Sequence, residues 1–124
     1  MTSDWLVVSQ DLVDRFADAT GDRQWIHTDP SRGPTIAHGF LTLALLPALL
    51  RQAAPRDDVR KSVNYGLNRV RFIAPVPVGS RVRARFESAS EEEKDGARKV
   101  TWNATIETEE RPCCVAEWIV VYYQ

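Results

Sequence analysis

The sequence carries no excess of either charge. Sixteen basic residues stand against seventeen acidic ones, a formal net charge of −1. That balance gives no general attraction to nucleic acid or to an anionic membrane surface, so neither is expected as a partner. Long apolar runs are missing too. The longest, "FLTLALLPALL", covers 11 residues and is interrupted by Thr42 and Pro47, whereas about 20 are needed to span a bilayer. The N-terminus, "MTSDWLVVSQ", has no basic n-region and only a short apolar core, which is not the pattern of an export signal. Cysteine is reduced to two adjacent residues, Cys113 and Cys114. Neighbours on a strand point to opposite faces, which makes a poor disulfide and an unpromising metal pair. A cytoplasmic location with reduced thiols is the expectation. No phosphate-cradling glycine loop, dinucleotide fingerprint, zinc-ligand spacing or serine elbow occurs. No metal and no organic cofactor is therefore expected.

What remains is an ordinary globular composition, 44% apolar and 27% charged over 124 residues. This is one domain's worth of chain, read as a single domain over residues 1–124. A chain of this length can bury about two-thirds of its unfolded surface, so no covalent staple is required.

"SQDLVDRFADAT", residues 9–20, predicts a short helix. Ser9 can cap it, Leu12, Val13, Phe16 and Ala19 recur at helical spacing, and Asp11 suits the positive end of the dipole. Gly21 is a stop signal, and Asp22 follows in a loop. Residues 36–54 predict one long helix, apolar nearly all round and so wrapped on most sides, with Pro47 as a kink. About four antiparallel strands follow. Val82, Ala84 and Phe86 alternate with Arg81, Arg83 and Arg85, and Val100, Trp102, Ala104 and Ile106 alternate in the next strand. "EEEKDGA" reads as a hairpin turn, with Glu91–Glu93 in it. The sum is an α+β layer architecture, one long helix with a sheet curled round it.

Histidine is the scarcity that carries chemistry. The chain has two, and both fall within "TGDRQWIHTDP" and "TIAHGF". Asp22 and His27 can hold one water, one group taking a proton while the other supplies one. In "AHGF" the backbone N–H of Gly39 falls near the start of the long helix. There it lacks a helical partner and gains from the dipole, so it suits an oxygen that acquires negative charge. On spacing alone the Asp–His pair is weak, because such spacings recur by chance. Taken singly, His38 reads as a structural residue bonded to nearby backbone, Trp25 as a packing residue and the arginine strand as a solvated face.

Together these motifs resemble the MaoC-like, (R)-specific enoyl-CoA hydratase family, nearest its stand-alone single-domain actinobacterial type. "FADATGDRQWIHTDP", "TIAHGFLTLALLPALL" and "NYGLNRVRFIAPVPVGSRVRA" carry the resemblance, in that order. It implies a hot-dog fold and a homodimer joined through its sheets. It also implies reversible addition of water to a trans-2-enoyl-CoA, giving an (R)-3-hydroxyacyl-CoA, with an acyl-CoA thioester as the substrate. By position, Asp22 and His27 match the acid/base pair and Gly39 the backbone donor of the oxyanion hole. Gln24, Trp25, His38, Phe40, Arg69 and Arg71 stand as substrate-binding candidates, and Arg83 as a further candidate for the coenzyme A phosphates. Gln24 and Trp25 replace an asparagine–proline pair of the family. Leu46 and Pro47 occupy the region where the family has a helix serine. Only "SRGP" joins "HTDP" to "TIAHG", a shorter connection than the family's, which would either open the acyl pocket or strain His27 against Gly39. Two other readings are a hot-dog acyl-CoA thioesterase and an inert acyl-CoA-binding or partner subunit. The paired acid and base favour hydration over the first.

Overall fold

The structure is a computed structural model describing residues 1–124. A short strand β1 (Leu6–Val7) leads to helix α1 (Gln10–Thr20). The Ser9 hydroxyl accepts the Leu12 N–H at 3.1 Å, and Gly21 closes the helix in the left-handed region at φ 79°. Both ends of α1 therefore lie where the capping residues place them. The next segment is not the open loop expected. It folds into a one-turn helix α2 (Trp25–Thr28) and a 3-10 turn (Pro30–Arg32).

The long helix is shorter than expected and divided. Helices α3 (Gly39–Ala44) and α4 (Leu46–Ala53) meet at Leu45, which stays in the right-handed region. Pro47 has no N–H to give the carbonyl four residues earlier, so the ladder breaks where the ring requires it. Ile36 lies outside the helix: it bridges to Pro77, and its N–H donates to the Ile26 carbonyl at 3.0 Å.

Strands β2 (Lys61–Phe72), β3 (Arg81–Lys94), β4 (Ala97–Glu107) and β5 (Pro112–Tyr123) complete an antiparallel sheet of order β1-β3-β4-β5-β2. Val82, Ala84, Phe86, Val100, Trp102, Ala104 and Ile106 are buried, in the alternation read from the sequence. The opposing arginines meet carboxylates: Arg83 and Arg85 at 2.8 and 2.9 Å from Glu107, and Arg81 at 2.8 Å from Glu109. Glu91–Glu93 are strand rather than turn. They pair with Val100, Lys99 and Arg98, and Asp95 and Gly96 alone turn the hairpin, both at positive φ. Such a two-residue turn matches the twist of its strands.

The core lies between α3–α4 and one face of the sheet, with Leu41, Leu46, Leu49 and Leu50 against Phe86, Trp102 and Trp118. Wrapping of the helix on most sides does not hold within one chain. Phe40 is 71% exposed, and Ala44 and Ala48 are exposed on the same side. The cause is β2, an edge strand that pairs only with β5 and leaves Leu67 exposed beside Phe40 and Ala44.

Burial pushes the Cys114 thiol from 9.0 up to about 11. It raises the Tyr122 phenol as well, although the Trp102 indole N–H donating to that oxygen at 3.0 Å opposes the rise. The unfolded chain releases both protons at lower pH than the folded one, so stability falls as pH rises through this window. The urea midpoint should hold steady from pH 7 to about 8.5 and drop as pH climbs from about 9 to 11.

Candidate active site

The segment after α1 and the start of α3 converge on the two histidines. Gly21 reverses the chain, so Asp22 leaves α1 half-buried and aimed back toward α3. His27 lies in α2 and is 6% exposed. Gln10 holds α2 in place. Its amide N–H donates to the His27 carbonyl at 2.8 Å, and its own carbonyl accepts the Thr35 hydroxyl at 2.7 Å.

Carbonyl partners set both imidazole tautomers. His27 Nδ1 lies 2.7 Å from the Ile36 carbonyl. A carbonyl only accepts, so Nδ1 carries the hydrogen and Nε2 keeps a free lone pair. By the same reasoning His38 Nε2 donates to the Asp22 carbonyl at 2.9 Å. The two rings stack with centroids 3.8 Å apart and planes 23° from parallel. Phe16 packs against His38 with centroids 4.9 Å apart and planes tilted by 58°.

A carboxylate oxygen of Asp22 and one ring nitrogen from each histidine lie within 4.8 Å of one another. Two hydrogen bonds of about 2.8 Å meeting at one water span nearly that distance, so Asp22 and His27 are set to share a water. The same three donors fit a metal ion poorly. Lone pairs of stacked imidazoles lie in nearly parallel planes and do not aim at one point.

Gly39 opens α3, where first-turn N–H groups lack a helical partner. Its N-cap, His38, contributes only its carbonyl, which accepts from Leu41 and Thr42. A Cβ on Gly39 would stand 3.1 Å from the Phe72 ring, so glycine is what allows that ring to close over the backbone. His27, Ile36, Gly39, Thr42, Phe72 and Val76 line a pocket of about 210 Å³. The short connection after Pro30 does not separate His27 from Gly39. It coils through the 3-10 turn and is tied off by the Ile36–Ile26 hydrogen bond.

The structure thus places Asp22 beside His27, and His27 in one pocket with Gly39; Asp22 itself is not among the residues lining that pocket. It does not bring the other candidates to the pocket wall. Trp25 is 50% exposed, with the Arg32 guanidinium 4.1 Å above its ring. Gln24 is exposed at the start of α2 and makes no side-chain cap. Phe40 faces outward and touches Phe72 edge-on at 6.1 Å. His38 is buried behind His27. Arg69, at a positive φ in an irregular part of β2, sits 3.5 Å from Glu117. Arg71 turns back to the Val70 carbonyl at 2.8 Å, and Arg83 is held by Glu107.

Sequence reasoning missed Gln10, Thr42 and Phe72. Thr42 was within reach: it lies three residues past Gly39, on the same helical face, and supplies a hydroxyl where the Leu46–Pro47 region has none. Nothing local marks Gln10 or Phe72, whose contacts with the site are made across the fold.

A family model described as MaoC-like domain matches residues 1–110. The 3-hydroxyacyl-thioester dehydratase Z of Mycobacterium tuberculosis is 53% identical over 129 residues, covering 97% of this chain and 85% of that protein. Among solved structures, a monoamine oxidase regulatory protein from Archaeoglobus superposes with TM-score 0.85 at 21% identity, over 100% of this chain and 88% of that one. The (R)-hydratase from A. caviae involved in PHA biosynthesis superposes with TM-score 0.77 at 25% identity, over 97% and 92%. The curled five-stranded sheet cupping α3–α4 is the hot-dog fold shared by these neighbours. By family model, sequence identity and fold alike, the chain belongs to the MaoC-like family.

Proposed function

We propose that this chain interconverts trans-2-enoyl and (R)-3-hydroxyacyl thioesters, as an enoyl-CoA hydratase in one direction and a 3-hydroxyacyl-CoA dehydratase in the other. One observation carries the reading. A ring nitrogen of His27 and a carboxylate oxygen of Asp22 lie within 4.8 Å of each other, one water's reach, and His27 shares a pocket with Gly39. The activity for which the mycobacterial relative is named supports the same chemistry.

In hydration, His27 Nε2 takes a proton from a water that Asp22 also holds. The water oxygen bonds to Cβ, and the double-bond electrons move toward the thioester carbonyl as an enolate. The Gly39 N–H meets the charge that develops there, which is where a preorganised donor is most effective. A proton delivered from the Asp22–His27 pair to Cα completes the addition. Dehydration runs the same steps backward. No step requires a metal or organic cofactor, coenzyme A being part of the substrate. Chiral separation of the hydration product tests the assignment: the (R) isomer is expected, and the (S) isomer contradicts it.

The exposed side of β2 supports a homodimer. An apolar edge strand with unpaired backbone groups is a template for another chain. Leu67 and Phe40 line one apolar recess on the helix side of β2, and Val63 and Tyr65 are exposed on its other face. Antiparallel pairing of β2 with its copy across a two-fold axis covers both edges at once. The protein should elute at twice its 14.0 kDa mass, and Leu67→Arg should shift it toward 14.0 kDa. A wild-type monomer at micromolar concentration contradicts this assembly.

A further inference from the structure

His38 has more to do than its burial suggests. It occupies the N-cap of α3, a position that favours Ser, Thr, Asp or Asn because their side chains cap the helix. The His38 side chain makes no such bond. It reaches sixteen residues back instead and gives its Nε2–H to the Asp22 carbonyl at 2.9 Å. The opposite ring nitrogen, Nδ1, is buried and has no partner. An orphaned buried acceptor is uncommon and costly, and an apolar ring would avoid it. The ring also stacks on His27 at 3.8 Å and packs against Phe16 at 4.9 Å. His38 does not line the pocket that holds His27 and Gly39.

We propose that His38 is a positioning residue: its Nε2–H holds the backbone of Asp22 while its ring backs the imidazole of His27, so one side chain sets the spacing of the acid/base pair. The reading rests on the hydratase assignment above. It replaces the expectation that His38 contacts substrate. The donor half of the ring is what the site uses, and the orphaned Nδ1 follows from placing that donor against Asp22. His38 sits directly before Gly39, so the same residue also registers the pair against the backbone donor. A fixed spacing matters because misplacement of a reacting group by about 1 Å costs about a hundredfold in rate.

Two measurements test this. The first is an imidazole nitrogen–proton correlation NMR spectrum of the wild-type protein, which is simple because there are two histidines. The expected spectrum shows opposite single tautomers, Nδ1–H for His27 and Nε2–H for His38. The Nε2–H form at His27, or a tautomer mixture at either ring, overturns the proposal even if no substrate is ever turned over. The second measurement is kinetic. His38→Phe keeps a ring behind His27 and loses the donor. It should lower kcat by about 10–100-fold with KM within about twofold of wild type. His38→Gln places an amide N–H near the former Nε2 position and should recover about threefold or more of that loss. A folded His38→Phe with wild-type kcat, or a loss confined to KM, overturns the positioning role. Should His38→Phe fail to fold, the wild-type spectrum decides. A wild-type protein that shows both tautomers but no hydration points to failure of the functional assignment rather than of the geometry.

Discussion

His27→Ala is expected to lower enoyl-thioester turnover at least about a hundredfold, the usual scale for a lost acid/base group. The proposed acceptor is the Nε2 lone pair of the imidazole, left free because Nδ1 is committed to the Ile36 carbonyl at 2.7 Å. Removing the ring takes away the proton acceptor and the face on which His38 stacks. Asp22→Asn should cost a similar factor while disturbing the fold less. The tie to His38 runs through the Asp22 main chain, so an amide side chain leaves it intact. The double variant should be little worse than the more damaging single one, because both residues act on one water. Steady-state hydration kinetics with thermal melts as a folding control check all three. Near-wild-type turnover in a folded His27→Ala would remove the imidazole from the mechanism.

The second large effect concerns the Gly39 N–H, tested by Gly39→Pro against Gly39→Ala. Proline is well tolerated at the first position of a helix, where its missing N–H has no helical partner. His38, at φ −60° and ψ 139°, already has the extended backbone that a following proline demands. The substitution therefore deletes one donor with the helix start preserved. Alanine controls for bulk, because its Cβ alone must displace the Phe72 ring by a few tenths of an ångström. That ring is 48% exposed and has room to turn. Gly39→Pro should reduce kcat about 10²–10³-fold beyond Gly39→Ala, the range for loss of one oxyanion donor. Equal activity in the two variants would mean the carbonyl oxygen is stabilised elsewhere.

Local chemistry was legible in the sequence, and chemistry across the fold was not. Ser9 and Gly21 marked both ends of α1 because caps act within four residues. The place of the β3–β4 hairpin, though not the two-residue extent of its turn, and the buried stripes of both strands followed from turn chemistry and a period of two. Strand β2 shows where the alternation stops informing. Its apolar residues fall on an uncovered edge and two irregularities shift its register, so its pattern answers to something outside a single chain. The helix read as wrapped on most sides reflects the same surface.

Asp22, His27 and Gly39 became candidates through residue type and motif resemblance. Their orientation did not follow from either. His27 takes its tautomer from a carbonyl nine residues away and His38 from one sixteen residues away. No local pattern encodes which nitrogen faces which carbonyl. Trp25 illustrates the converse: an aromatic between two site residues points outward because a one-turn helix places it there, under Arg32.

The central claim is that Asp22, His27 and Gly39 add water across an enoyl thioester. The most direct test incubates the wild-type protein with crotonyl-CoA and follows the ultraviolet absorbance of the conjugated thioester together with free thiol. The account expects the conjugated absorbance to fall to an equilibrium value with no free coenzyme A released. Release of coenzyme A without hydration, or an unchanged spectrum from folded protein, would contradict it.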